Sequence, residues 1–254
     1  MNLIWKILSF LLLLLLLVLF AYSSLADEML IVTLSDEGIL TTAEDITVEG
    51  TVVIITRPGD YLLSGTLSNG QIVVNCDVEG EVTLHLNGVN IHNAQGPAIL
   101  IGDCTPQVVI SLENQSENIL TNGAELVFIE DDEPNGVIFS HSDLTISGSG
   151  RLMITARAMD GIVSKDDLVI KGGTLVINAA RHGLRGKDSV DIENGNLIIY
   201  CGKDGIKSTN TKDTERGFLL LNGGDIRITC GDDPLSFVTG CTISNATLQI
   251  QLIQ

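Results

Sequence analysis

Basic residues are few in this sequence. Its 254 residues include 14 Lys and Arg against 32 Asp and Glu, which gives a formal net charge of −18. A protein that binds nucleic acid through surface charge needs a basic face to neutralise the phosphates, so the sequence excludes this class. The same charge disfavours an anionic partner unless a cation lies between the two.

Aromatic residues are also scarce, at 4% of the chain. The single tryptophan, Trp5, lies within the N-terminal segment that is expected to be cleaved. A protein that binds neutral glucans normally offers aromatic platforms to the sugar rings. Tyr61, Tyr200 and a few Phe are available here, and most of these are expected to fill the core or turns.

Common catalytic and metal-binding motifs are missing. The sequence has no Ser/His/Asp, zinc or nucleotide motif and no calcium motif of the EF-hand or glycine-rich nonapeptide kind. The four histidines are scattered, and surface or turn roles are expected for them: His85, His92, His141 and His182.

The N-terminus has the pattern of an export signal. An apolar run, residues 7–22, follows Lys6 and ends before the small residues of Ser23-Ser24-Leu25-Ala26. This predicts a secretory signal peptide over 1–26, cleaved after Ala26, with an uncleaved membrane anchor as the alternative. No second segment could span a membrane. The expected protein is secreted or at the cell surface, and it meets a membrane only through this segment if it stays uncleaved.

A short phrase recurs through residues 160–237. Asp160-Gly161-Ile162 returns as His182-Gly183-Leu184 and as Asp204-Gly205-Ile206, each time after 22 residues. A fourth copy, Asp233-Pro234-Leu235, follows after 29 residues because a polar insert, about 209–215, lengthens that unit. Self-similarity at a fixed period of this size is typical of a solenoid.

Each repeat unit contains two runs that alternate apolar and polar residues, such as Leu168/Ile170 and Leu175/Ile177. Alternation of this kind predicts strands with one buried face, and the Gly-Gly and Asn-Gly pairs between them suit turns. No unit has ten residues at helical spacing, which disfavours helical or leucine-rich repeats. The predicted fold is therefore all-β, a single-stranded parallel β-helix of about 22 residues per coil, taken to be right-handed.

The rest of the chain has the same pattern of short alternating strands and turn residues, and no linker interrupts it. We expect one β-helix domain over 27–254, with a probable N-terminal cap over 27–50 and the most regular repeats at 160–237. A cap is expected because an open end would expose core residues and unpaired strand edges.

Five cysteines leave at least one thiol unpaired in an exported chain. Cys201 and Cys230 hold the same place in successive units, where Ala179 stands one unit earlier. They form either a disulfide between coils or, as we favour, a ladder of small core residues.

Repeated aspartates carry the expected chemistry. Residues one unit apart lie on neighbouring strands or turns about 4.8 Å apart, so Asp160, Asp204 and Asp233 form a ladder with His182 between them. Two carboxylates about 5 Å apart repel by roughly 3 kcal/mol at an effective dielectric of 20. Such a ladder requires a compensating charge or hydrogen bonds.

A second ladder joins Asp166 with Asp188, beside Asp167 and the aligned Asp143, and Asp232 doubles the last site. One interpretation is a set of calcium sites, since hard oxygen ligands on rigid turns suit this ion. The other is that the carboxylates cap turns and pair with Lys165, Lys187, Lys203 and Lys207. Both remain open, and the candidate metal ligands are Asp160, Asp166, Asp167, Asp188, Asp204, Asp232 and Asp233.

Several phrases resemble a known family. They are 59–67 (Gly-Asp-Tyr-Leu-Leu-Ser-Gly-Thr-Leu), 86–91 (Leu-Asn-Gly-Val-Asn-Ile), 160–168, 185–188 and 204–208. Their order is similar to that of the carbohydrate-binding domain family typified by a clostridial cell-surface protein. The resemblance implies a right-handed, pectate-lyase-like β-helix, calcium held by aspartates, and binding of cellulose and polygalacturonate without established cleavage.

Position by position, the resemblance implies acidic ligands at Asp160, Asp166, Asp167, Asp188, Asp204 and Asp233. His182 and Pro234 depart from the family's usual Asp and Gly.

Three functions follow from these observations. The first is a non-catalytic binding protein in which calcium bridges aspartates to a polysaccharide's uronates. The second is a calcium-dependent polysaccharide lyase, whose base would come from Lys165, Lys187, Lys207 or Arg185, although ion pairing would make a lysine there a poor base. The third is a structural adhesin scaffold.

Overall fold

A computed structural model describes residues 29–43, 46–102, 107–124 and 134–253. Within these ranges the regular elements are all β-strands, and none of the described residues forms a helix that could cross a membrane. The predicted signal peptide and Cys104 lie outside the described ranges. The all-β class predicted from the alternating pattern is confirmed for the described chain.

The strands are short and follow one another closely. Their bounds are β1 Leu30–Leu34, β2 Leu40–Thr41, β3 Ile46–Glu49, β4 Val52–Ile55, β5 Gly59–Leu67, β6 Gln71–Val74, β7 Glu81–Asn93, β8 Ile99–Ile101, β9 Gln107–Leu112, β10 Glu117–Asn122, β11 Gly136–Ser140, β12 Asp143–Gly148, β13 Arg151–Ala156, β14 Asp160–Ser164, β15 Asp167–Ile170, β16 Thr174–Ala179, β17 Leu184–Gly186, β18 Ser189–Ile192, β19 Asn196–Cys201, β20 Ile206–Ser208, β21 Phe218–Leu221, β22 Asp225–Cys230, β23 Leu235–Ser236, β24 Gly240–Ile243 and β25 Thr247–Leu252.

The described strands form two sheets. The first has two arms that meet at the long strand β7: one runs β9-β12-β15-β18-β21-β24 and the other β10-β13-β16-β19-β22-β25. The second sheet runs β3-β4-β6-β8-β11-β14-β17-β20-β23. One repeat therefore passes from the second sheet (β14) to each arm of the first (β15, then β16) and back to the second (β17). Each strand pairs in parallel with the equivalent strand of the next repeat, as β14 does with β17 and β15 with β18.

The strand register reproduces the sequence period. Ile162 pairs with Leu184 and Leu184 with Ile206, at steps of 22 residues, whereas Ile206 pairs with Leu235 at a step of 29. The insert lies between β20 and β21, so it lengthens one repeat without disturbing the pairing. The predicted period is thus the step by which the strands stack.

Alternate side chains of the strands stack into rows in the interior. Leu175 and Ile177 of β16 are buried and lie beside Leu197 and Ile199 of β19. Burial of each such side chain contributes about 1.5–3 kcal/mol, so the rows supply most of the driving force for stacking the repeats.

The repeated glycine of the Asp-Gly-Ile phrase is required by close packing. A Cβ at Gly183 would lie 2.4 Å from Cγ2 of Ile199 and 2.6 Å from the carbonyl oxygen of Gly205. Gly161 has the same surroundings one repeat earlier, against Ile177 and Gly183. No larger residue fits where this turn approaches the core row.

The two ends of the sheets differ. Residues 30–49, within the predicted cap, form β1 to β3, and antiparallel pairing occurs there, between β1 and β2 and between β3 and β4. At the other end, β24 and β25 continue the parallel register as one more repeat. Ile243, Ile250 and Leu252 of that repeat are about half exposed.

The cysteine row is a ladder of small core residues. Ala179, Cys201 and Cys230 pair in register on β16, β19 and β22, and no disulfide joins the described cysteines. Burial, with a smaller contribution from neighbouring Cys230, raises the pKa of Cys201 to about 12, so this thiol stays protonated. The favoured interpretation of the two is confirmed.

Candidate functional site

The first carboxylate column is assembled by the stacking of repeats. Each side chain accepts a hydrogen bond from the backbone N–H of the next member: His182 donates to Asp160 Oδ1, Asp204 to His182 Nδ1, and Asp233 to Asp204 Oδ1, each at 3.1 Å. These bonds tie one turn to the next, which is the capping role that short polar side chains favour.

Asp160 is fully buried and lies between two guanidinium groups. Its Oδ2 is 3.0 Å from Nε of Arg185, and its Oδ1 is 3.5 Å from Nε of Arg181. Neither Nε–H points along a hydrogen-bond direction, so these contacts are ion pairs. Arg185 is held in place because its Nη2 also donates to the side-chain oxygen of Asn135.

Asp204 is compensated from within its own repeat. Nζ of Lys207 donates to its Oδ2 at 2.7 Å, and both residues lie at the edge of the second sheet. Burial raises the pKa of Asp204, but the hydrogen bonds from Lys207 and from the Asp233 backbone outweigh it and lower the pKa below its ordinary value. The carboxylate is therefore ionised at neutral pH.

His182 takes the place between these two aspartates as a neutral side chain. Burial lowers its pKa to about 4, so the imidazole carries no charge at neutral pH. Its Nδ1 accepts the Asp204 N–H and lies 3.4 Å from the Asp204 carboxylate, a contact that is not an ion pair in this protonation state. The column therefore alternates charged and neutral members over its first three repeats.

The second column is capped by the insert. Asp188 is buried, and its N–H donates to the carbonyl of Asp166 one repeat earlier. Asn210 donates to one oxygen of Asp188, and the guanidinium of Arg216 contacts the other. Both partners come from the connection between β20 and β21, which contains the insert.

The remaining candidate ligands lie apart from these pairs. The predicted alignment of Asp143 with Asp167 is confirmed, since the Asp167 N–H donates to Asp143 Oδ1 at 3.1 Å. Oδ1 of Asp167 also accepts from the hydroxyl of Ser189 at 2.7 Å. Asp232 and Asp233 are exposed on the last turn of the column.

Calcium does not fit the paired carboxylates. A calcium ion takes six to eight oxygen ligands, but Asp160, Asp188 and Asp204 already have cationic partners and hydrogen bonds on their oxygens. Over the described ranges, no three His, Cys, Asp or Glu side chains converge as a metal site would require. The calcium assignment stays a prediction for Asp166, Asp167, Asp232 and Asp233.

The four residues proposed as a lyase base separate into two places. Arg185 and Lys207 are neighbours in register on the outer face of the second sheet, each beside its aspartate. Lys165 and Lys187 lie on the following turn, where the backbone of Lys187 bonds that of Thr209. Lys187 and the exposed Lys203 have no ion pair among the described residues, so of the predicted lysine partners Lys207 is the one with a described pair.

A different surface lies on the outer face of the first sheet. Along the arm that ends at β25, outward side chains form a column of uncharged polar groups: Thr121, Thr155, Asn178, Tyr200, Thr229 and Gln251. Beside it runs a half-buried aliphatic column of Ile119, Met153, Val176 and Ile198. We call these two columns together the Tyr200 face.

An open groove of about 400 Å³ lies on this face. Its walls include Thr155, Asn178, Tyr200 and the exposed Arg157, with Ile253 at one end. The Tyr200 ring is 49% exposed, whereas Tyr61 is fully buried in the core. Among the described aromatic residues, Tyr200 and Phe237 are the ones whose side chains are largely exposed.

The outward position of Tyr200 could have been predicted from the strand alternation, although the amino-acid composition gives no indication of it. In β19 the residues Leu197, Ile199 and Cys201 point inward, so the alternation places Tyr200 outward. The expectation that aromatic residues fill the core or turns holds for Tyr61, whose hydroxyl donates to the Arg57 carbonyl at 2.9 Å. Tyr200 is an exception to it.

Comparison with known proteins agrees with the fold. A family model described as carbohydrate-binding domain-containing protein matches residues 49–253. A protein of that name from Acetivibrio thermocellus is 44% identical over 202 residues, which cover 79% of this chain and 70% of that protein. A solved structure, a gadolinium derivative of the polysaccharide lyase-like protein from C. thermocellum, superposes with a TM-score of 0.77 at 31% identity, covering 89% of this chain and 98% of the other.

Proposed function

Because the chain belongs to the carbohydrate-binding domain-containing family, we propose that it is an exported, non-catalytic protein that binds plant cell-wall polysaccharide of the cellulose type. The observation that carries this proposal is the groove beside the half-exposed ring of Tyr200. Binding sites for organic ligands are typically concave and mainly apolar, with a few polar groups that orient the ligand.

The Tyr200 face suits the chemistry of an extended neutral glycan. A pyranose ring has an apolar face of C–H groups and a rim of hydroxyls. The ring of Tyr200 offers a flat surface to the first, while Asn178 and Thr155 offer donors and acceptors to the second. Because parallel strands lie about 4.8 Å apart, side chains on successive strands follow one another at a spacing close to the length of one sugar unit.

The charge of the chain favours a neutral glycan over an acidic one. The net charge of −18 repels a polyuronate, whereas cellulose carries no charge and meets no such barrier. Arg157 is the charged side chain in the groove wall. Calcium-bridged binding of polygalacturonate, the first function predicted from the sequence, is the alternative here, and the assay below includes it.

We further propose that the strands wind as a single right-handed parallel β-helix of the pectate-lyase-like kind. The 22-residue pairing step and the passage of each repeat through three strand positions support this winding. Crossovers between parallel strands of one sheet are right-handed in about 98% of cases. A crystal structure would test the hand directly, and a left-handed coil would contradict the proposal.

The function is tested by depletion of the protein from solution by microcrystalline cellulose and by affinity electrophoresis in polygalacturonate. Each assay is run in calcium and in chelator. We expect cellulose binding in both conditions and an affinity about two- to tenfold lower for Tyr200→Ala, since an aromatic contact contributes about 0.5–1.5 kcal/mol.

Phe237→Ala is the matched control, because this ring is 46% exposed but lies at the end of the second sheet. Its binding is expected to equal that of the wild type. Equal affinity of Tyr200→Ala and wild type would refute the site. Failure to bind either glycan would favour the scaffold, and binding of polygalacturonate in calcium alone would favour the bridged mode.

A further inference from the structure

We infer that the protein's own cations replace calcium at Asp160, Asp188 and Asp204, so that these members of the two carboxylate columns are held in place without a metal ion. The pairs that carry the inference are Arg185 with Asp160, Lys207 with Asp204, and Arg216 with Asp188. The inference does not depend on the proposed glycan site, which lies on the other sheet.

The Asp160 position is closed to a metal by charge. A calcium ion that bound Oδ2 would have to lie beside the guanidinium of Arg185, which stays protonated at any pH the fold tolerates. Arg181 flanks the other oxygen, which also accepts the His182 N–H. A divalent ion would therefore meet two positive groups beside this carboxylate, whose Oδ1 already accepts a hydrogen bond.

At Asp204, Lys207 excludes a metal ion in the way that Arg185 does at Asp160. Lys207 donates directly to Oδ2, and the backbone of Asp233 donates to Oδ1. His182, the neighbour in the column, directs its lone pair toward the Asp204 N–H. A third carboxylate at this point of the column would supply calcium ligands, and the imidazole supplies none.

The insert performs this role for Asp188. The connection between β20 and β21, which makes this repeat 29 residues long, includes Asn210 and Arg216, and both contact the buried carboxylate from the following turn. Arg216 is itself positioned by Asp213, whose Oδ2 lies 3.4 Å from its Nε. The departure from the 22-residue period thus brings a cation to a buried charge that the regular repeat would leave uncompensated.

Electrostatic repulsion explains why the buried carboxylates need a compensating charge. Neighbouring carboxylates about 5 Å apart would repel by roughly 3 kcal/mol at an effective dielectric of 20. An imidazole in place of the central carboxylate removes two such contacts, and Asp160 and Asp204 each have a cation, at 3.0 Å and 2.7 Å. These two members of the ladder are therefore compensated one by one.

The test compares chelator-stripped wild type with a variant designed to open the column. In the wild-type background, Asp160→Asn, Asp188→Asn and Asp204→Asn are each expected to leave any calcium or terbium binding unchanged, because these three carboxylates are not metal ligands. The double substitution His182→Asp with Lys207→Ala provides consecutive carboxylates at positions 182, 204 and 233 and removes the cation that competes at Asp204. Its Tm is expected to rise by several degrees in calcium, because a ligand that binds only the folded state stabilises it.

Lys203→Ala is the matched control, since Lys203 is exposed on the same turn and has no ion pair among the described residues. It should behave as wild type in both media. The inference is overturned if wild type binds calcium in stoichiometric amount by calorimetry and Asp160→Asn, Asp188→Asn or Asp204→Asn abolishes that binding. Calorimetry on the wild type and the three Asp→Asn variants tests the inference even if the double variant does not fold.

Discussion

Arg185 reaches back from β17 to Asp160 at the start of β14, and their Nε and Oδ2 atoms lie 3.0 Å apart with the carboxylate fully buried. The pair therefore joins two adjacent repeats. Arg185→Leu is expected to destabilise the protein by about 3 kcal/mol, because it leaves a buried carboxylate with one partner fewer. Urea unfolding measures the loss.

Arg227→Leu is the control for this prediction, since Arg227 is exposed and contacts Gln249 and Asn196 at the surface. A change below about 0.5 kcal/mol is expected for it. Adding Asp160→Asn to Arg185→Leu should restore part of the lost stability, since the uncompensated charge is then removed. Additive losses would show that the two residues do not interact.

Gly183→Ala is expected to lower the Tm strongly. The new methyl group would overlap Ile199 and the Gly205 carbonyl, and overpacking of this kind costs about 1–3 kcal/mol. Gly240→Ala is the matched control, because nothing lies within 4 Å of its Cβ position. Calorimetry or circular dichroism melts would compare the two, and equal Tm values would contradict the packing argument.

His85 makes stability depend on pH. Its two ring nitrogens lie 2.9 Å from Asp60 and 2.8 Å from Glu113, so the protonated ring satisfies both carboxylates. Burial lowers the pKa of His85, but these two bonds outweigh it and raise the pKa above 6.5.

The stabilisation is therefore complete below pH 6.5 and is lost as the pH rises through the raised pKa. Because the pair is partly exposed, the effect is expected to stay below about 1 kcal/mol. Urea unfolding of wild type and His85→Gln on both sides of this range measures it. A difference between the two proteins that does not shrink with rising pH would refute the assignment.

Lyase activity is not expected. Nζ of Lys207 donates to Oδ2 of Asp204 at 2.7 Å, so the amine that would have to act as the base is already engaged in an ion pair. Polygalacturonate incubated with the protein and calcium should develop no absorbance from unsaturated products, with heat-inactivated protein as the blank. Absorbance that appears with wild type and disappears with Lys207→Met would establish the lyase instead.

Much of the candidate site was predictable because the period brings equivalent residues together. The stacking of Asp160, His182, Asp204 and Asp233 follows from their spacing, and so does the alignment of Asp143 with Asp167. The choice between a metal and a capping role did not follow. Both roles need the same carboxylates at the same step, and they differ in which side chains reach them from other strands.

The sequence by itself determined the strand class, the 22-residue pairing step and the face on which each side chain lies, because alternation and repetition act between near neighbours and along the stack. Only the tertiary structure showed that Arg185 pairs with Asp160 and that Arg216 contacts Asp188. It also showed that Tyr200 borders a groove. These contacts depend on the lateral reach of long side chains between turns, and no spacing along the chain encodes that distance.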